Sequence, residues 1–362
     1  MAVAINLTIG NNGIFTRAEN AIAKYEEASI NEQLEMNKIV EDIDKLTGNY
    51  KPSREGLKVG QYVEYVPDTY VNPEDSSSNY TLTTDISGYT SEQQIAQLKE
   101  LKWRIMSINA DGTVEIVSDN TYDSGTRICF KGATGYNNGV YILNDIAEKQ
   151  YSNKSLNAVA RSMTIEDIEK KMNEKGIAER DRSESNNGTQ YGHKKKYTGS
   201  NSYYPKLYAE ENGSGINTEE VKDDGIGGSV EGSENFPVPS TENPAYEQAI
   251  ESGLTVTQNY YYMIKSDMSE YFDEENQNFY ELIFDTVNYY WLASRYFICY
   301  STYANFGIRN VGSNSLDGNV LFFSNCEMRS GNYGLRAIVS LGSEVEFTEG
   351  DGSEQNPYKL SI

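Results

Sequence analysis

Histidine is almost absent from this 362-residue chain: His193 is the only one. Hydrolysis through an activated serine or cysteine needs an imidazole held against the nucleophile, and imidazole-rich metal centres need several. His193 stands in the basic run His193-Lys194-Lys195-Lys196, among Ser, Asn and Gly, where an exposed loop is expected, so both chemistries are excluded. Cysteine is nearly as scarce. Cys129, Cys299 and Cys326 cannot all pair with one another, and no two show the CxxC spacing of a zinc or redox site. Buried thiols are the plain reading. A Cys299–Cys326 bridge is the alternative, because spacing does not say whether the Cβ atoms face each other. The chain has no intact signal peptide and no run of about 18 apolar residues, the length that crosses a bilayer as a helix. Positive charge is also short: 31 Lys and Arg stand against 54 Asp and Glu, a formal charge of −23. Such a field repels phosphate backbones and anionic membrane surfaces, which excludes nucleic acid as a partner.

What is present is a polar chain, only 38% hydrophobic, with room for more than one domain and a large loop fraction. Residues 1–50 carry an amphipathic helical pattern. Ile14, Ala18, Ala21, Tyr25 and Ala28 recur at steps of three and four, and Met36, Val40, Ile43 and Leu46 resume the stripe before Thr47-Gly48-Asn49. From Gly56 the period changes to two. Val59, Gln61, Val63 and Tyr65 predict a strand, and Trp103–Ile108, Asp111-Gly112 and Val114–Val117 predict a hairpin. Ser91–Leu101 reads as a short helix, as do Gly139–Tyr151 and Thr164–Glu174. The last of these has Thr164 as N-cap, Asp167 at the capping-box position and Gly176 as a stop. Residues 178–245 read as a surface insertion, Leu254–Met263 as β-rich, and Asp273–Val287 as a helix or strand entering the core. Asp223-Asp224 and nearby glutamates offer oxygen ligands of the kind calcium takes, but their spacing matches no EF-hand loop. No other cofactor is expected.

The organising stretch is Asn288–Leu341. Apolar and aromatic runs at Tyr289–Ala293, Asn305–Val311, Asn319–Ser324 and Gly334–Leu341 alternate there with Gly, Ser and Asn, as strands joined by exposed turns. Its wording, Tyr290-Trp291-Leu292-Ala293-Ser294-Arg295, then Phe306-Gly307-Ile308-Arg309, then Gly334-Leu335-Arg336-Ala337-Ile338-Val339-Ser340-Leu341, resembles the C-terminal module of surface and phage proteins with a C-type-lectin-like fold of the formylglycine-generating-enzyme subtype. Ala337 stands where that family has Pro. At a looser level the resemblance reaches back to about Gly56 and includes Arg161–Asp167 and the closing residues 349–362. Separately, Asn6–Ala18 resembles the segment that follows the hydrophobic helix of type IV pilin-like proteins of Gram-positive bacteria. There a basic leader, a peptidase site and an apolar stretch of about 20 residues come first. That resemblance implies that the chain begins just inside the end of such an anchor.

Together these imply an α+β fold class: a long N-terminal amphipathic helix (1–50), then a C-type-lectin-like domain (51–362) with two helices, a mixed or antiparallel sheet and long loop insertions. They imply an extracellular display protein whose head binds a partner, with membrane contact only through the pilin-like end. Tyr296, Phe297, Ile298, Tyr300, Tyr303, Asn305, Asn310, Asn325, Glu327, Arg329, Asn332 and Tyr333 are the candidate contacts. Tyr, Ser, Gly, Asn and occasional Arg are what adaptable recognition surfaces use, because rings give large contacts at low entropy cost. Some proteins of this fold are variable receptors diversified by retroelements, which the unusual Tyr296–Tyr300 and Cys326–Arg329 would suit. The Glu-Pro-Asn or Gln-Pro-Asp triplet of sugar-binding members is missing, so a protein ligand is expected over a glycan. A filament subunit that packs through its helix, without a ligand of its own, is the alternative. An enzyme using Cys299 or Cys326 is a third reading, though their surroundings do not match that enzyme's motif.

Overall fold

The chain divides after Ser53, and the residues described by the computed structural model all lie in the second unit, Arg54–Ile362. They are 54–68, 81–82, 87–88, 93–94, 101–119, 127–179, 202–205, 226–230, 268–284, 289–299, 304–323 and 325–362, with backbone alone for 81–82, 93–94, 202–205, 226–230, 297–299 and 304. The expected pilin-like helix of residues 1–50, the basic run at His193, Asp223-Asp224 and Leu254–Met263 fall outside this set. The described residues form an α+β structure of two large sheets, two small strand pairs, one long helix and several short ones.

The strands are β1 (Tyr62–Glu64), β2 (Thr81–Leu82), β3 (Gln93–Gln94), β4 (Trp103–Ile108), β5 (Val114–Ser118), β6 (Ile128–Lys131), β7 (Val159–Ser162), β8 (Ser202–Pro205), β9 (Ile226–Val230), β10 (Tyr290–Cys299), β11 (Ala304–Gly312), β12 (Ser315–Phe323), β13 (Ser330–Leu335), β14 (Ala337–Leu341), β15 (Glu346–Thr348) and β16 (Tyr358–Ser361). The α-helices are α1 (Gly132–Tyr151), α2 (Ile165–Glu169) and α3 (Gln277–Phe284). A seven-stranded sheet runs β15-β16-β1-β4-β5-β14-β7, and a five-stranded sheet runs β12-β11-β10-β13-β6. Two-stranded pairs join β2 with β3 and β8 with β9. Closure is by β16, which lies parallel to β1 and antiparallel to β15.

The β4–β5 hairpin follows directly from its sequence. Asp111 accepts from the Thr113 backbone N–H at 3.0 Å, and Gly112 takes φ +86°, which a side chain would resist. All five residues of β5 are buried, because both faces of its sheet are covered. Val114 and Ile116 join a core built on α1, whose Ile142, Leu143, Ile146 and Ala147 are fully enclosed. Val117 enters a second core with Ile165, Ile168, Tyr271, Phe272, Phe279, Ile283 and Phe284. Strand β14 alternates likewise, Ala337, Val339 and Leu341 to the first core and Ile338 to the second.

Helix α1 starts seven residues before the expected Gly139. Its glycines are contact points rather than breaks: a Cβ on Gly139 would stand 2.0 Å from Ile308 Cδ1, and one on Gly135 2.9 Å from the Ser87 carbonyl oxygen. The predicted helix 164–174 is shorter, ending at Glu169, and a further helical turn at 174–179 runs through Gly176, the expected stop. Within the predicted helix Ser91–Leu101, Gln93–Gln94 instead pair as a strand with Thr81–Leu82. With α3 and the stretch 174–179, the described residues hold more α-helices than the two expected.

Two edges are finished locally, one by side chains and one by the backbone of the following turn. Among the described residues strand β7 pairs only with β14, and its outward N–H groups at Ala160 and Ser162 donate to Ser152 Oγ and Asn144 Oδ1, each at 3.0 Å. Strand β12 meets the turn that follows it: the Phe323 N–H donates to the Glu327 carbonyl at 2.9 Å and the Arg329 N–H to the Leu321 carbonyl at 2.8 Å. The five-stranded sheet therefore curls until β12 approaches β13, where Tyr333 and Asn319 meet.

Candidate functional site

Strand β10 runs unbroken through Cys299, so the first group of expected loop contacts lies on a strand. Tyr296 is 1% exposed. Its ring covers two glycines, with Cε1 2.5 Å from where a Cβ on Gly307 would stand and 2.3 Å from one on Gly318. Phe297 and Ile298 continue β10, paired with Phe306 and Asn305; Tyr300 and Tyr303 lie outside the described residues. Asn305 and Asn310 are 8% and 3% exposed on β11. Tyr296, Asn305 and Asn310 are thus removed from an exposed rim, because the hairpin pairing turns them onto covered sheet faces.

The second group is brought together at the surface. Asn325, Glu327 and Arg329 are exposed in the turn between β12 and β13, and Asn332 is exposed on β13. This turn is held at both ends by its bonds to β12, and the Gly132 N–H at the start of α1 donates to the Arg329 carbonyl at 3.1 Å. Cys326, also exposed, takes φ +67°. Asn325 Oδ1 accepts from the Glu327 N–H at 3.0 Å, an Asx turn that fixes the next residue. The Arg329 guanidinium lies 4.6 Å from the centre of the Phe323 ring, and its Nε donates to Glu327 at 3.2 Å. The opposed charges are solvent-exposed, so they orient one another more than they stabilise the fold.

Tyr333 joins this surface to the mouth of the curled sheet. Its ring packs edge-on to Trp291 at 4.5 Å and against Tyr289 at 5.5 Å, and its hydroxyl accepts from Asn319 Nδ2 at 2.9 Å. Burial raises its pKa and the nearby Asp317 charge adds to that, while the Asn319 bond opposes. The Asp317 carboxyl is itself raised, first by burial; its bond from the Gly318 N–H, at 2.7 Å, opposes the shift. Tyr289, 48% exposed, and Asp317 and Asn319 are site residues that sequence reasoning missed. Asp317-Gly318 reads as a turn dipeptide, and only the register places Asp317 opposite Asn310 in mid-strand.

The arrangement is suited to recognition. Among the described residues, no three His, Cys, Asp or Glu side chains gather into a group that would hold a metal ion. No family model, curated protein or solved structure matches the chain.

Proposed function

We propose that this chain is an extracellular display protein of a Gram-positive bacterium, in which a C-type-lectin-like head, Arg54–Ile362, binds a protein partner through the turn Asn325–Arg329 and the adjoining face of β13. The observation that carries this is the ordering of that turn. Its backbone is bonded to β12 and to α1, while Asn325, Cys326, Glu327, Met328 and Arg329 remain exposed. A surface already fixed in shape loses little conformational freedom when a partner docks, which is how preorganised loops reach useful affinity. Arg329, over the Phe323 ring at the end of the turn, and Tyr333 on β13 are of the residue types that dominate binding energy.

The finer fold reading is supported by the order of parts: an opening hairpin, then α1 and α2, then the Tyr290–Leu341 sheet whose wording resembles that family. The surface location rests on the resemblance of Asn6–Ala18 to pilin-like proteins. A net charge of −23 favours a basic partner and makes association faster at low salt.

The test is capture of binding partners by the immobilised full chain from an arrayed protein library, with and without EDTA. Glu327→Ala with Arg329→Ala is expected to weaken the captured partner at least tenfold, and EDTA to change nothing. Unaltered affinity in the double variant overturns the placement of the surface; loss of binding in EDTA overturns the metal-free reading.

A further inference from the structure

The mouth of the curled sheet holds an anionic group that no Lys or Arg pairs among the described residues. Asp317 is opposite Asn310 across β11–β12, and Asn310 is opposite Trp291 across β10–β11, so the three side chains share one sheet face. Tyr333 closes over this face, with its ring against Trp291 and its hydroxyl held by Asn319. Tyr289 extends the aromatic wall outward, its ring laid on Gly312, where a Cβ would come within 2.2 Å of its Cε1.

Two features mark a ligand here. Among the described residues no Lys or Arg forms an ion pair with Asp317, whose carboxylate accepts only from the next residue's N–H. Beside it, Asn319 stands two residues along β12 and so on the same face, and its Oδ1 is buried without a hydrogen-bond partner, 2.6 Å from where a Cβ on Gly331 would stand. A half-buried carboxylate with a single N–H bond and a buried amide oxygen with none represent unrecovered desolvation, which an arriving donor would offset. We propose that Asp317 and Asn319, walled by Tyr333 and Tyr289, receive a primary ammonium group such as the end of a lysine side chain. This deepens the binding reading above and rests on it for the partner's being a protein.

The chemistry favours an alkylammonium over other cations and over sugars. An ammonium brings three N–H donors to the carboxylate and the amide oxygen, while its methylene chain lies along the rings, whose faces attract positive charge. Calcium takes six to eight oxygens, commonly several from carboxylates, and one carboxylate with aromatic walls does not supply them. A neutral sugar would leave the Asp317 charge uncompensated.

The test uses the full chain and n-butylammonium chloride, read by titration calorimetry or ligand-observed NMR, with n-butanol, calcium chloride and methyl glucoside as comparisons. Butylammonium is expected to bind in the millimolar range, at least tenfold tighter than the others, and to lose at least tenfold in Asp317→Asn; Tyr289→Ala, an exposed change, is expected to weaken it several-fold. Absence of butylammonium binding to the unaltered chain overturns the inference, as does equal binding by Asp317→Asn or tighter binding of calcium or the glucoside. Capture of a protein partner that depends on Arg329 but not on Asp317 would remove this inference and leave the binding turn standing, whereas amine binding without any Arg329-dependent partner would do the reverse.

Discussion

Gly307 has no side chain because there is no room for one. A Cβ there would stand 2.1 Å from the Asn319 carbonyl oxygen as well as against the Tyr296 ring. The obstructing oxygen is paired backbone, and the ring is enclosed, so neither yields cheaply. Gly307→Ala is expected to destabilise the fold by about 1–3 kcal/mol, the usual range for overpacking, read as a lower urea midpoint; an unchanged midpoint would show that β11 and β12 can separate there. Arg336 is a second residue fixed by its surroundings. It is 2% exposed, donates from Nε to the Ser118 carbonyl at 2.8 Å and from Nη1 to the Leu282 carbonyl at 2.7 Å, and lies 5.3 Å from the Tyr290 ring centre. One planar fork thus ties β5 to the end of α3. Arg336→Met is expected to cost about 2–4 kcal/mol through the unpaired buried carbonyls. Arg336→Lys should recover only part of this, since a single ammonium has no fork to span both; full recovery by lysine would show that charge, not geometry, is what the site requires.

At the scale of elements, helix α2 is too short to persist on its own and is held by charge at its first turn. Asp167 accepts from the Thr164 N–H at 2.9 Å and from both terminal nitrogens of Arg161, at 2.6 and 2.8 Å, while Arg161 also donates to Glu115 on β5 at 2.9 Å. Burial alone would raise the Asp167 carboxyl, but the Arg161 bonds and charge outweigh it, and the folded pKa lies below the ordinary 3.8. A depressed folded value means stability that is fully present above that ordinary value and lost as pH falls through the folded one. Asp167→Asn is expected to lower stability at pH 7 and to flatten the acid limb of the urea midpoint below about pH 4; an acid limb identical to that of the unaltered chain would exclude Asp167 as its source. This capping was legible in the sequence, because Thr164 and Asp167 carry the required spacing. So was the β4–β5 hairpin, where period-two residues flank Asp111-Gly112. The start of α1 was not: Gly132, Gly135, Asn137, Asn138 and Gly139 disfavour a helix locally, and it takes the neighbouring Phe130 together with Met328, Ile308 and the Ser87 backbone, distant in sequence, to explain why glycines sit there. The reach of β10 was hidden for a similar reason. Tyr296 reads as a loop contact until Gly307 and Gly318 are seen beneath its ring. Gly334–Leu341 reads as one strand, yet its two halves belong to different sheets, divided at buried Arg336.

At the scale of the whole molecule, the described unit is closed by its last residues. Strand β16 is the partner that joins β15 to β1, so removing Tyr358–Ile362 leaves β1 paired with β4 alone. The expected result is faster amide exchange at Tyr62–Glu64, with protection kept at Val114–Ser118 in the sheet centre; equal loss at both places would show that the sheet opens as one unit. The candidate surface lies on the other sheet, and only half of it could be read beforehand. Asn325, Glu327, Arg329, Asn332 and Tyr333 announce themselves as polar and aromatic residues between strands, whereas Asp317 and Tyr289 acquire meaning only from which strand each faces across the curl. The far border of the seven-stranded sheet has its own consequence. With the amides of Ala160 and Ser162 on β7 already engaged by Ser152 and Asn144, a neighbouring polypeptide finds neither donor free for a ladder there. Copies of this unit that meet at that border will not extend each other's sheets through these two amides.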